Sequence, residues 1–224
     1  MTTTQTIQIL SITTSLLASG GIASLSSFSI PLLRSQPASR SLPQLRWLFS
    51  RGSHIFPSAA LLSSIGFLYL AYTALPLASP SSSSLSALLA HATSGKPALY
   101  LAASLLSFSI APFTSFVMVP TNFTLIARNE ELGGARSAAA AEHREASQTQ
   151  TQTQSRSAEE SVNGKNDISQ WSDLSDPQAR TEESSTPEQN GEVKGLLTKF
   201  EGLNYVRAGL MGMGGLVGLV GALV

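Results

Sequence analysis

The chain has 224 residues, a formal net charge of zero and no cysteine, and only 12% of its residues are charged, about half the share of about 25% found in ordinary soluble domains. Disulfides, thiolate metal ligands and a cysteine nucleophile are therefore excluded. The charge is also uneven: all fourteen Asp and Glu lie between Glu130 and Glu201, and residues 1–129 carry only Arg34, Arg40, Arg46, Arg51, Lys96 and Arg128. A water-exposed domain of that length without a carboxylate is hard to keep in solution, whereas a domain facing lipid has no such need.

Four apolar stretches occur in chain order, at residues 7–33, 55–77, 98–126 and 203–224. Each is long enough to cross about 30 Å of hydrocarbon, which takes about 20 residues of helix. None has Asp, Glu or Lys in its interior, and their many serines and threonines can bond back to carbonyls of their own helix. The sequence thus predicts an all-α fold, a bundle of four transmembrane helices. Residues 1–135 hold the first three, 136–192 form a long disordered loop, and 193–224 supply the fourth.

The first stretch has no basic leader, too long an apolar run and no small-x-small cleavage site, so it reads as a retained helix rather than a signal peptide. Before the second lies "LPQLRWLF", residues 42–49. Pro43 suits a first helical turn, and Leu45, Leu48 and Phe49 share a face. This is either a short helix on the membrane surface or an early start to helix two, with Arg46 and Trp47 as interfacial anchors. The first loop holds Arg34, Arg40, Arg46 and Arg51, the second only Lys96. Basic short loops face the cytosol, so the first and third loops are expected there and both termini in the lumen of an endomembrane such as the endoplasmic reticulum.

The third loop contains "SQTQTQTQSRSAEESVNGKND", which has too few apolar residues to offset ordering entropy. Trp171 and Leu174 stand alone in such surroundings. They mark a short docking motif or nothing, and composition favours nothing.

Polar groups at membrane depth are costly unless paired, and so are informative. In the third helix Thr114, Met118 and Asn122 recur at intervals of four and share a face. Pro112 and Pro120 remove backbone donors and bend the helix, so Thr114 and Asn122 serve either a site or the kinks. In the fourth helix Asn204 and Arg207 share a face near the membrane boundary, where Arg207 reads either as a snorkelling cation or as a site residue. Beyond them, Gly214-x-x-x-Gly218 and its neighbouring glycines predict close helix packing. Topology puts Arg51, His54, Asn122, Asn204 and Arg207 at similar depth, where they can converge.

The only histidines are His54, His91 and His143, and with no carboxylate in the membrane part no three-ligand metal site can be assembled. A Ser-His-Asp triad lacks its acid, and no phosphate loop or dinucleotide fingerprint is present. What remains is an imidazole, guanidiniums and amides. That set suits deprotonation of an acidic carbon or phenol with stabilisation of the oxyanion.

The order "LRWLFSRGSHIFP", "APFTSFVMVPTNFTLI", "FEGLNYVRAG" resembles the anthrone oxygenase family of fungi, small four-helix membrane proteins. The carrying steps are Gly52 to Pro57, Pro120 to Asn122, and Leu203 to Arg207. Where relatives often have Trp before the Asn, this chain has Lys199-Phe200-Glu201-Gly202. The resemblance implies oxidation of a polyketide anthrone to an anthraquinone in secondary metabolism. Molecular oxygen would be co-substrate, with no metal or flavin cofactor. Its partners would be an aromatic polyketide and membrane lipid, without nucleic acid; oligomeric state is left open. On that footing His54 is the expected base, Arg51 or Arg207 the holder of the enolate oxygen, and Asn122 and Asn204 orienting groups. The alternative is a non-catalytic four-helix membrane protein, a scaffold or small-molecule carrier, in which the same polar residues only tie helices together.

Overall fold

The structure, a computed structural model, describes residues 1–75, 90–148, 157–163 and 168–224, and among them the secondary structure is helical with no strand. Three long helices come first: α1 (Thr3–Arg34), α2 (Ala38–Thr73) and α3 (Gly95–Glu131). Two short ones follow, α4 (Ala138–Gln148) and α5 (Ala158–Asn163), and then the long α6 (Pro187–Leu223). The four long helices are each long and apolar enough to cross a membrane, as a multi-pass membrane protein requires.

The helices overrun the apolar stretches because apolar counting does not see capping. Thr2 and Gln5 exchange side-chain and backbone hydrogen bonds at the start of α1, and Thr186 and Gln189 do the same before α6. These reciprocal pairs satisfy donors that the first turn leaves free, and Pro187 sits where its missing N–H costs nothing. "LPQLRWLF" is the early part of α2, not a separate surface helix. The end of the second predicted span, residues 76–77, lies outside the described residues.

Helix α3 stops at a glycine pair. Gly133 has φ +71°, its N–H bonds to the Glu130 carbonyl, and Gly134 N–H bonds to that of Asn129. This 6→1 and 5→2 pairing needs a left-handed residue, which glycine adopts without strain.

Two π turns interrupt the long helices, at Leu25–Ser29 in α1 and Thr114–Met118 in α3. Each immediately precedes a helical segment with proline in its first positions, Pro31 and Pro120. A proline ring clashes with the carbonyl four residues back, and a locally wider turn accommodates it. The π turn lies between Thr114 and Asn122, so the regular spacing that gave them one face does not hold through it.

The chain divides into two compact units, Met1–Ser24 with Phe56–Ser115 and Asn204–Val224, and Leu25–Ile55 with Phe116–Leu203. In the first unit α6 carries a seam of glycines. A Cβ added at Gly212 would lie 2.8 Å from Ser19 Oγ, at Gly214 2.6 Å from Ser107 Oγ, and at Gly215 2.8 Å from Leu16. One at Gly218 would fall on the Phe67 ring, and one at Gly221 3.1 Å from Tyr100. Helix α6 therefore touches α1, α2 and α3 at backbone distance, as the glycine spacing predicted. Buried serines add bonds between helices. Ser15 and Ser19 of α1 donate to the carbonyls of Met211 and Ala208, both at 2.7 Å, and Ser104 of α3 donates to Ser64 of α2 at 2.8 Å. These hydroxyls cross to a neighbour instead of bonding back. Outward residues of α2, such as Leu61, Leu62, Ile65 and Leu68, are exposed, the pattern of a helix surrounded by hydrocarbon.

The second unit is held by polar contacts. Arg34 pairs with Glu201 at 2.8 Å, Arg128 with Glu131 and Glu192, and buried Glu130 with Arg144 at 2.9 Å. Arg46, expected as an anchor at the membrane surface, is instead 3% exposed and donates to the Ser161 carbonyl of α5 at 2.9 Å. Disorder was predicted for 136–192. Of that stretch, residues 149–156 and 164–167, with most of the Thr-Gln tract, lie outside the described residues. The described parts form α4, α5 and a docked segment whose fixings are hydrogen bonds and ion pairs, which a reading based on apolar burial does not count.

The seam makes a clear prediction. Gly218→Ala places a methyl on the fully buried Phe67 ring and is expected to cost about 1–3 kcal/mol. Gly209→Ala, where nothing lies within 4 Å, is expected to be neutral or stabilising. Unfolding of both variants in detergent micelles measures the difference, and equal stability would remove the seam from the account.

Candidate functional site

The five candidate residues fall into two groups. In the first unit, Asn204 and Arg207 stand one turn apart on α6 and are 1% and 9% exposed. Arg207 Nη1 donates to Asn204 Oδ1 at 3.0 Å, and the guanidinium lies 5.8 Å from the centroid of the Phe56 ring. Phe56 packs in turn on Ala18, Ala60, Ile110 and Met211. Arg207 does not snorkel: it is buried on apolar and aromatic neighbours. Among the described residues no carboxylate is paired with it. Asn204 Nδ2 and Arg207 Nε are buried donors without a hydrogen-bond partner. A buried charge with unused donors is expensive, and an anionic oxygen is the kind of group to which such donors donate.

In the second unit, Arg51 and His54 lie on α2 and meet one segment of the third loop, residues 168–176, here called the strap. The imidazole of His54 stacks on the indole of Trp171, with ring centroids 3.6 Å apart and planes inclined by 32°. His54 Nε2 is buried without a hydrogen-bond partner. Arg51 Nη2 donates to the Ser175 carbonyl at 3.3 Å, and Trp47 Nε1 donates to the same oxygen at 2.9 Å. Arg51 also lies 5.2 Å from the centroid of the Trp47 ring. Asn122 is half-buried, with its Oδ1 unpartnered, as is Thr114 Oγ1 in the first unit. Patching of a proline kink, one expected role for both, is not what these atoms do. Thr124 bonds back to the Pro120 carbonyl of its own preceding turn at 3.0 Å.

The strap is fixed on the N-terminus of α4. Ala138 N–H bonds to the Asp176 carbonyl at 2.9 Å and Ala139 N–H to Ser175 Oγ at 3.3 Å. Ser137 Oγ caps Ala140 N–H at 3.1 Å and donates to the Asp173 carboxylate. Buried Arg136 donates to the Ile168 carbonyl. A carboxylate beside a helix N-terminus is electrostatically favoured. Burial alone would raise the Asp173 carboxyl. Hydrogen bonds from the Ser137 and Ser175 hydroxyls and the Ser175 amide, with Arg136 nearby, outweigh that and hold it below the usual carboxylate range.

Residues 46–217, most of the chain, match the family model described as anthrone oxygenase. The chain belongs to the anthrone oxygenase family. No curated protein and no solved structure matches it. The match includes all five candidate residues of this family member and also the strap, which composition alone set aside.

Sequence reasoning missed Trp171 as a neighbour of His54, and missed Asp173, Glu130 and Arg144 as fixings. The signals were present but local. Gly133-Gly134 is a helix stop, and "SDLSDP", residues 172–177, has the Asp, Ser and Pro content of ordered turns. Among the described residues no three His, Asp or Glu side chains come together as a metal ion requires.

The depressed Asp173 value gives a pH prediction with a definite sign. An ionised Asp173 stabilises the docked strap above the unfolded carboxyl value of about 3.9. That contribution is lost as pH falls through the lower folded value. Docking is expected to persist from neutral pH to about pH 5 and to weaken only below about pH 4, whereas Asp173→Asn weakens it at neutral pH. Fluorine NMR of fluorotryptophan-labelled protein follows this through the Trp171 resonance. An unchanged resonance in Asp173→Asn at neutral pH would contradict it.

Proposed function

We propose that this chain oxidises an anthrone to the corresponding anthraquinone with molecular oxygen, within the membrane and as a step of aromatic polyketide metabolism. The observation that carries this reading is the Asn204–Arg207 pair, a buried cation with two unused donors on an aromatic and apolar wall. Such a group stabilises negative charge that develops on an oxygen, and does so more strongly away from water. The family and the four apolar helices support the same class of chemistry.

An anthrone suits that arrangement. Its methylene is acidic because loss of a proton gives an aromatic enolate with the charge on oxygen. The resemblance gives the proton to His54, whose Nε2 is uncommitted, and the oxygen to Arg51 or Arg207. Arg51 is engaged with the Ser175 carbonyl and Trp47, whereas Arg207 and Asn204 carry the unused donors. The enolate gives electrons to oxygen and forms a carbon–oxygen bond, and a proton completes the hydroperoxide. Loss of water then gives the quinone, one oxygen atom leaving in water and one remaining in the product. Molecular oxygen is the co-substrate, and the chain supplies the base, the charge stabilisation and an apolar environment. We further propose an endomembrane location with both termini lumenal, which Arg34 at the end of α1 and Arg40, Arg46 and Arg51 in the first turns of α2 support.

Membranes from cells expressing the chain, supplied with anthrone and air, are expected to form quinone faster than control membranes, and not under argon. Arg207→Gln and His54→Phe are each expected to reduce the enzyme-dependent rate by about 100-fold or more. A rate equal to that of membranes lacking the chain would sink this reading in favour of a scaffold or carrier.

A further inference from the structure

We infer that Trp171, in the third loop, is the positioning residue of His54: its indole sets the plane of the imidazole and so the direction in which Nε2 takes a proton. The inference rests on the assignment of His54 as base. A catalytic histidine usually has its second ring nitrogen held by a carboxylate or carbonyl, which fixes its orientation. Here no hydrogen bond to either ring nitrogen of His54 is found among the described residues, and its one ring contact is the indole at 3.6 Å. With no hydrogen bond on the ring, the orientation of this half-buried imidazole rests on its tilted contact with the indole and on the packing around it.

The indole is suited to this by the way its backbone is held. Trp171 lies in a tight turn closed by Ser172 and Asp173 N–H groups on the Ser169 carbonyl, at 3.1 and 3.0 Å. Asp173 is buried and bonded to Ser137 and Ser175, and the next fixing is Ser175 under Trp47 and Arg51. Arg136 holds the other end at Ile168. Both sides of Trp171 are thus pinned within a few residues, while the residue as a whole is 75% exposed. Its burial adds little to the fold, so its placement is not explained by packing. An exposed tryptophan held on a fixed turn against the one histidine of α2 is an arrangement for orienting that ring.

The test compares Trp171→Leu and Trp171→Phe in the full chain in membranes. Misorientation of a general base lowers the chemical step and leaves ground-state binding nearly intact. Trp171→Leu is therefore expected to lower kcat by about 10- to 100-fold with KM changed by less than about 2-fold, and Trp171→Phe to restore most of the loss. A second readout does not depend on turnover. The His54 ring-proton resonance, assigned among the three histidines with His54→Phe, is expected to show the ring-current shift of the indole. It should lose that shift in Trp171→Leu and keep part of it in Trp171→Phe. An unchanged kcat in Trp171→Leu, with His54→Phe inactive, overturns the inference and leaves His54 as base. A lowered KM with kcat held also overturns it, because Trp171 would then compete with substrate for the imidazole face. Full activity in His54→Phe removes both assignments together.

Discussion

Helices surrounded by hydrocarbon gain little by hiding apolar surface from one another, so they must approach closely to associate. That requirement shapes the first unit. The glycines of α6 admit Ser19, Ser107, Leu16, Phe67 and Tyr100 to the helix backbone, and so bring α1, α2 and α3 onto a single helix. The hydroxyls of Ser15 and Ser19 then bond to Met211 and Ala208 carbonyls. Ala208 directly follows Arg207, so the contacts that join α1 to α6 also hold the turn that carries the buried cation. Arg207 is kept from the surface by the same closeness that holds the helices together.

The second unit is organised by charge and backbone hydrogen bonding. Its centre is the N-terminus of α4, where Ser137, Ser175 and Asp176 satisfy successive N–H groups. The Asp173 carboxylate sits among those hydroxyls and beside Arg136. Buried polar groups joined this way cost little only when they are paired, and the strap is held by such pairs rather than by a hydrophobic core of its own. It is by this polar route that an exposed indole reaches His54.

The helices and their apolar spans were legible because about twenty consecutive apolar residues carry few other meanings. The glycine seam was legible for a related reason, since so many glycines in one helix are unfavourable unless something packs on them. Arg207 and Asn204 were visible as a pair by their spacing of three, but not as buried: composition cannot tell a cation that reaches the interface from one covered by Phe56. Arg46 shows the same limit in the other direction, because its cover is Ser161 from more than a hundred residues away. Trp171 was hidden because its role depends on hydrogen bonds between loop backbone and distant side chains, and these leave no periodic trace. The stripe of Thr114 and Asn122 was read on an unbroken helical period, and the π turn at Thr114–Met118, which leaves no trace in apolar spacing, changes that period.

Helix α5 is seated through Ser161 on Arg46 and Glu130, and the strap is seated separately, on α4 and on α2. The described segments on either side of the Thr-Gln tract are therefore each held by bonds of their own. A change at one seat leaves the bonds of the other in place, so Arg46 and His54 have independent covers from the same loop.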